Sequence, residues 1–359
     1  MTPRERFLAI ARGELTNALY LPFNLNYAWF MQETVERWER QGLAPEADLA
    51  EFFGFDTVAF TGGAPYSLLP PFEVRTVHED DRTLTVRDET GATKRVFRDH
   101  EGSTMPQWLD YPVKSRADFE RLTTRLDPTS PERYPSDWEV FAANWLDRDV
   151  PLGLAPGSFF GHTLQRWVGT ENLCVLFYDE PGFVHEMLEY LEWFFCETVK
   201  PFLARVQFDF ASFGEDIAYK DRAFISPRMF GQFIQPRYTR ICRMLRDKGI
   251  DIIFVDSDGN IDKLIPLWMQ VGINAFSPLE VAAGMDALAL KERYGRDIVL
   301  AGNIDKRALI RGKLAIDAEV ERVRLVLRHG GYFPTVDHSV PPDVPFENFC
   351  YLIDRLKAL

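Results

Sequence analysis

The chain is poor in the residues on which disulfide scaffolds, zinc ribbons and nucleotide-binding proteins depend. Four cysteines among 359 residues, Cys174, Cys196, Cys242 and Cys350, stand far apart with no C-x-x-C pair, which argues against a disulfide framework and a thiolate zinc ribbon. Each lies in a segment that reads as helical and apolar, so buried free thiols and a reducing compartment are expected. There is no G-x-G-x-x-G and no Walker sequence, and no nucleotide cofactor is expected. Basic residues are the minority, 41 Lys and Arg against 54 Asp and Glu for a net charge of −13, and that sign disfavours nucleic acid and anionic membrane surfaces as partners. The N-terminus reads Thr2-Pro3-Arg4-Glu5, a capping box with proline in the first helical turn, rather than a basic stretch leading into an apolar signal core. The expectation is a cytoplasmic protein with no targeting or membrane-spanning segment.

What is present is a large apolar fraction, 46% of the residues, laid out in a β/α alternation. Strands are expected over 20–24, 57–60, 152–155, 208–213, 252–255, 273–276, 298–301 and 332–335. Helices are expected over 31–41, 47–53, 181–204 and 227–248, with peripheral helices in 115–147. Eight strands with helices between most of them predict a closed (β/α)8 TIM barrel in one domain spanning 1–359. Residues 1–53 read as an N-terminal helical extension with the first strand. Residues 73–98 read as an inserted β-hairpin turning at Asp88-Glu89-Thr90-Gly91.

In such a barrel the residues after each strand converge on one face. They are Asn24 and Asn26, Gly62 and Gly63, Ser158, Glu215 with Asp216, then Asp256, Asp258 and Asn260, then Glu280, then Asn303, Asp305 and Lys306, and last Asp337 and His338. His162 follows Ser158 as a second candidate histidine. So many carboxylates on one face call for protonation, for pairing with Lys306 or Arg307, or for a cation. Individually, such Asp and Asn residues also serve as helix caps. Asp256-x-Asp258 does not open an EF-hand, because glycine follows directly and position 267 is Leu. Tyr27, Trp29, Phe159, Phe160 and Trp167 lie beside the expected mouth, where they would line an apolar pocket or pack in the core.

At these residues the chain resembles the uroporphyrinogen decarboxylase superfamily, which includes the decarboxylases of haem synthesis and the cobalamin-linked methyltransferases. Ala301-Gly302-Asn303-Ile304-Asp305-Lys306 is similar to its Gly-Asn-Leu-Asp segment, and Gly330-Gly331-Tyr332 with His338 to its closing Gly-Gly-Tyr…His segment. The resemblance implies a (β/α)8 barrel. The decarboxylases carry an Arg-Gln-Ala-Gly-Arg segment near the N-terminus, and Asn24 to Phe30 hold no arginine. The methyltransferases bind zinc through a His-x-Cys-Gly-Asn segment and a later Cys. Asp256-Ser257-Asp258-Gly259-Asn260 looks similar to that segment with both ligands changed to Asp, and His338 falls where the later Cys would be.

The resemblance is therefore closer to the corrinoid-linked methyltransferase branch. It implies methyl transfer between a small-molecule substrate and a corrinoid protein or another acceptor, with decarboxylation of a porphyrinogen-like or smaller acid as the alternative. A non-catalytic corrinoid- or tetrapyrrole-binding barrel is the third reading. Asp256, Asp258 and His338 form the expected central triad, either holding one divalent ion (Zn, Mn, Fe or Mg) or acting as a metal-free acid/base set. Glu215, Asp216 and Glu280 are supporting or alternative acids. Asn24, Asn26, Ser158, His162, Asn260, Asn303, Asp305 and Lys306 are the expected substrate contacts, and the chain is compatible with a homodimer.

Overall fold

The architecture was obtained as a computed structural model, which describes residues 1–14, 19–23, 25, 30–60, 66–98 and 105–359. All eight expected strand positions carry strands. In chain order the elements are β1 (Pro22–Phe23), β2 (Asp56–Thr57), β3 (Ala59–Phe60), an insertion of β4 (Arg75–Glu79), β5 (Thr83–Arg87), β6 (Thr93–Phe97) and β7 (Gln107–Asp110), then β8 (Leu152–Leu154) and β9 (Phe210–Gly214). There follow a small antiparallel pair β10 (Ala218–Tyr219) and β11 (Arg222–Ala223), then β12 (Ile253–Asp256), β13 (Ala275–Ser277), β14 (Val299–Ile304) and β15 (Tyr332–Val336). Seven of these form one parallel sheet in the order β15-β14-β13-β12-β9-β8-β3, and β1 pairs in parallel with β2. No helix among the described residues is long and apolar enough to cross a membrane.

Strand parity sorts the core into two layers. Ile252 and Phe254 join Phe210, Ala275, Val299, Ala301 and Phe333 in an inner cluster, whereas Ile253, Val255, Phe276 and Leu300 pack outward among the helices. Burial on both faces is why these strands read as continuous apolar runs rather than alternations. The N-terminal helix Pro3–Ala11 closes the floor. Its Phe7 ring lies 4.9 Å from Phe333, 5.1 Å from Phe210 and 5.6 Å from Tyr20, and the expected capping box at Thr2 and Glu5 starts the helix. With the floor filled by aromatic side chains, the carboxyl ends of the strands are left as the polar mouth.

The ring meets itself between β1 and β15 without a ladder, and the cause is in the sequence. The Asp56 amide donates to the Leu21 carbonyl at 2.8 Å and the Asp337 amide to the Ile304 carbonyl at 2.9 Å. Alternation then turns the backbone groups of residues 22 and 334 toward each other, and both are prolines with no N–H to give. A cavity of about 20 Å³ remains there, with both prolines in its lining. Closure is made instead by the helix Gln32–Arg40: Thr34 Oγ donates to the Val340 carbonyl at 2.7 Å and Trp38 Nε1 to the Val344 carbonyl at 2.8 Å, beside a parallel bridge between Phe30 and Val340.

The insertion is larger than the expected hairpin over 73–98. Four antiparallel strands run in the order β4-β5-β6-β7, and the Asp88–Gly91 turn joins β5 to β6 with Gly91 at φ +86°. The run expected as a single helix over 227–248 is capped by Ser226, whose Oγ accepts from the Met229 amide at 3.2 Å, but it contains a π turn at Phe230–Ile234 before Gln235–Arg246. A second π turn, Phe160–Leu164, precedes the helix Gln165–Val168, and it shapes the site.

Candidate functional site

The site begins at the end of β12. Parity aims Asp256 along the barrel interior, above Phe254. There its Oδ2 accepts from Ser277 Oγ of the neighbouring strand at 2.9 Å. Burial, reinforced by Asp216 and Asp258, holds its carboxyl well above the usual carboxylate range. The chain then turns sharply through Gly259 at φ +80°, where a Cβ would lie 2.7 Å from the backbone N and O of Tyr219 in β10. That turn requires glycine. It sends Asp258 toward β15, where its Oδ2 lies 3.2 Å from His338 Nε2.

Glu280, from the loop after β13, closes the group. Its Oε2 accepts from the Gly259 amide at 2.8 Å. Asp258, Glu280 and His338 each offer one ligand atom, and the three atoms lie within 4.8 Å of one another. The hydrogen bond to Asp258 holds the His338 imidazole above its ordinary pKa. Burial, with Asp258 beside it, raises Glu280 as well. The expected triad therefore differs in one member: Glu280 joins Asp258 and His338, while Asp256 sits deeper and bonds to Ser277.

Asp216 and His162 form a second pair on the same rim. Asp216 adopts φ +35°, its Oδ1 accepts from the Asp258 amide at 3.3 Å, and its Oδ2 lies 3.4 Å from His162 Nε2. Burial first, and then Asp258, push its carboxyl up. Gly161 makes room for this arrangement, because a Cβ there would run into the Glu215 carbonyl.

The other expected site residues are used in holding the mouth together. Glu215 is fully buried; its Oε1 accepts from the Phe159 amide (2.7 Å) and the Tyr238 hydroxyl (2.5 Å), its Oε2 from the Phe160 amide (2.8 Å). Ser158 Oγ accepts from the His162 amide at 3.1 Å. Asn260 bridges the Ala283 carbonyl and the Asp262 amide. Asn303, at φ +66°, donates to the Leu279 and Met285 carbonyls while its oxygen accepts from the Ala287 amide. Asp305 caps the helix Lys306–Arg311 and pairs with Arg307 at 2.8 Å. Although burial opposes it, the Arg307 hydrogen bonds bring the Asp305 carboxyl below its usual value.

Lys306 is half-buried, and its ammonium enters no ion pair among the described residues. Asp337 ties the amides of Val281 and Lys306 together. Phe159 and Phe160 are fully buried and Trp167 nearly so, and all three pack in the outer core. Asn24 and Asn26, with Tyr27, Trp29, Gly62 and Gly63, lie outside the described residues. Sequence reasoning passed over Arg166, which lies one helical turn beyond His162, and Trp108 in β7, whose ring lies 4.3 Å beneath its guanidinium.

Comparison with known proteins gives a consistent picture. Residues 97–359 match the family described as uroporphyrinogen decarboxylase (URO-D). A relative named uroporphyrinogen decarboxylase from Campylobacter lari is 28% identical over 259 residues, 68% of this chain and 71% of that one. One from Alkalilimnicola ehrlichii is 25% identical over 299 residues, 77% and 74% of the two chains. With the relative of that name from Helicobacter pylori, 29% identical, the match spans only 51% of each. Among solved structures the chain is similar to a methyltransferase from Methanosarcina mazei, with a TM-score of 0.62 at 16% identity across 100% of this chain and 99% of that one. That likeness is one of fold.

Proposed function

The chain belongs to the uroporphyrinogen decarboxylase (URO-D) family, and from that membership we propose that it is an enzyme moving a methyl group between a small substrate and an acceptor, with a corrinoid protein as partner. One observation carries the reading: Asp258, Glu280 and His338 converge within 4.8 Å at the carboxyl ends of the strands. Two carboxylates and an imidazole suit a divalent ion of harder character, Mn²⁺, Fe²⁺ or Mg²⁺, or weakly held Zn²⁺. The residues fit such an ion, because the Gly259 amide fixes the Glu280 carboxylate and the His338 Nε2 is already turned to the shared space. When bound, the ion supplies Lewis acidity toward an oxygen or sulfur atom.

The chain's own groups do the rest. Asp256, whose proton is held more tightly by burial, is the group placed to donate a hydrogen bond or a proton to a leaving atom within the barrel. Asp216, oriented by His162, lines the rim beside it. With Asp216, Asp258 and Glu280 facing one mouth, a substrate of many carboxylates would meet groups of its own sign; a small substrate fits better than a polycarboxylate tetrapyrrole. The second reading, decarboxylation of a small acid, is favoured by Asp256 alone, since a buried carboxyl that holds its proton more tightly than usual is a proton source for the carbanion that departing CO₂ leaves.

Metal analysis after separate loading with Zn²⁺, Mn²⁺ and Fe²⁺ tests the proposal. Near-stoichiometric uptake is expected in the wild type and in Asp256→Asn, with loss in Asp258→Ala, Glu280→Ala and His338→Ala. If no ion is taken up in any loading, and the three variants turn substrate over as well as the wild type, the metal centre is wrong and acid–base chemistry at Asp256 remains.

A further inference from the structure

We propose that Arg166 reads an anionic group on the substrate, and that the substrate of this mouth is a small carboxylate. The inference rests on the mouth of Asp216, Asp258, Glu280 and His338 being the active site. Arg166 stands four residues after His162, across the junction of the π turn and the helix Gln165–Val168, a spacing that sets both side chains on one face. His162 contacts Asp216 at 3.4 Å, and Asp216 is also the charged group that acts most strongly on Arg166, followed by Asp88. Arg166 therefore stands between Trp108 of the insertion and the His162–Asp216 pair of the rim.

Its guanidinium is half-buried, and among the described residues it accepts no ion-pair partner within 4 Å and donates no hydrogen bond. Five N–H donors in a planar fork are thus partly desolvated and unspent on any of the described residues. The Trp108 ring, 4.3 Å from the guanidinium carbon, holds that fork in place by a cation–π contact. Lys94 lies 5.8 Å over the same ring, so two elements of the insertion serve to hold it. A planar fork beside an acidic rim suits a singly charged planar anion. A phosphate dianion would meet more repulsion from Asp216 and Asp88. The rest of such a substrate then extends toward Asp258 and His338.

The test uses three isosteric pairs, benzoate and benzamide, phenylacetate and phenylacetamide, propionate and propionamide, titrated by ligand-observed NMR into the full-length protein. At least one acid should bind about tenfold or more tightly than its amide, the range of a charge-assisted pair. Arg166→Met should abolish the preference and Arg166→Lys should keep part of it, both with wild-type melting temperature and metal uptake. Trp108 is a positioning residue: Trp108→Leu should lower the preference and Trp108→Phe restore it. The proposal is overturned by equal binding of acids and amides, by no binding of any acid, or by an unchanged preference in Arg166→Met. Metal uptake is read separately, so an acid preference in a protein that takes up no ion in any loading would leave the anion site standing without the metal centre.

Discussion

Replacing Glu215 by Gln separates a structural carboxyl from a catalytic one. Burial raises this group from its ordinary value of 4.5 to about 6, so the folded protein holds the proton more tightly than the unfolded chain does. Its contribution to stability is greatest below pH 4.5 and is lost as pH rises through about 6, a difference of about 2 kcal/mol. Gln cannot titrate, and that pH dependence should vanish from the variant. The amide also exchanges one acceptor for a donor. With its NH₂ placed at Oε1, the Tyr238 hydroxyl can rotate to accept from it, but the Phe159 amide loses its partner. A buried unmet N–H costs about 1–3 kcal/mol, a penalty that does not depend on pH. Urea unfolding from pH 4 to 7.5 should show the wild type losing about 2 kcal/mol more than Glu215→Gln across that interval, while metal uptake at the mouth stays intact. Parallel pH profiles for the two proteins would refute the reasoning. Loss of metal uptake in a folded variant would show that Glu215 acts on the site directly.

Two further substitutions probe backbone and charge. Gly259→Ala introduces a Cβ 2.7 Å from the Tyr219 backbone at φ +80°, which should destabilise by about 3 kcal/mol in denaturant unfolding and disturb the Glu280 contact; a stability within 0.5 kcal/mol of wild type would refute the close approach. Lys291 is buried beside backbone carbonyls, and burial lowers its ammonium to about 8. The unfolded chain therefore binds the extra proton between pH 8 and 10.5, and wild-type stability relative to Lys291→Met should rise across that window, by up to about 3 kcal/mol. A constant difference between the two proteins would contradict this.

The barrel was legible because its strands are buried on both faces, so runs such as Ile252 to Val255 stand out against polar helix surfaces without needing a period. Asp258 and His338 were legible for the same reason, as polar residues immediately after such runs. Choosing Asp256 over Glu280 as their partner was a matter of depth. The sequence places Asp256 and Asp258 together at the end of β12 but does not show that parity buries the first against Ser277. Nor does it show that the chain after β13 returns Glu280 to the Gly259 amide through Leu279 at φ +59°. Asn260, Asn303 and Asp305 carry the pattern of ligand contacts, yet their polar atoms are consumed by neighbouring backbone and Arg307. Arg166 was illegible for a complementary reason: it lies within a helix, and its neighbour Trp108 comes from an insertion more than fifty residues earlier.

The clasp between the first and last strands changes how the barrel tolerates mutation. A hydrogen-bonded ladder is made of backbone and survives nearly any substitution except proline. Here the circle is fastened by the side chains of Thr34 and Trp38 to the carbonyls of Val340 and Val344, residues some three hundred positions apart along the chain. Beyond the single backbone bridge of Phe30 and Val340, the join is therefore written in side chains that one codon can erase. In a population of related sequences, damage to ring closure would fall on these two helix positions and not on the strands they hold together.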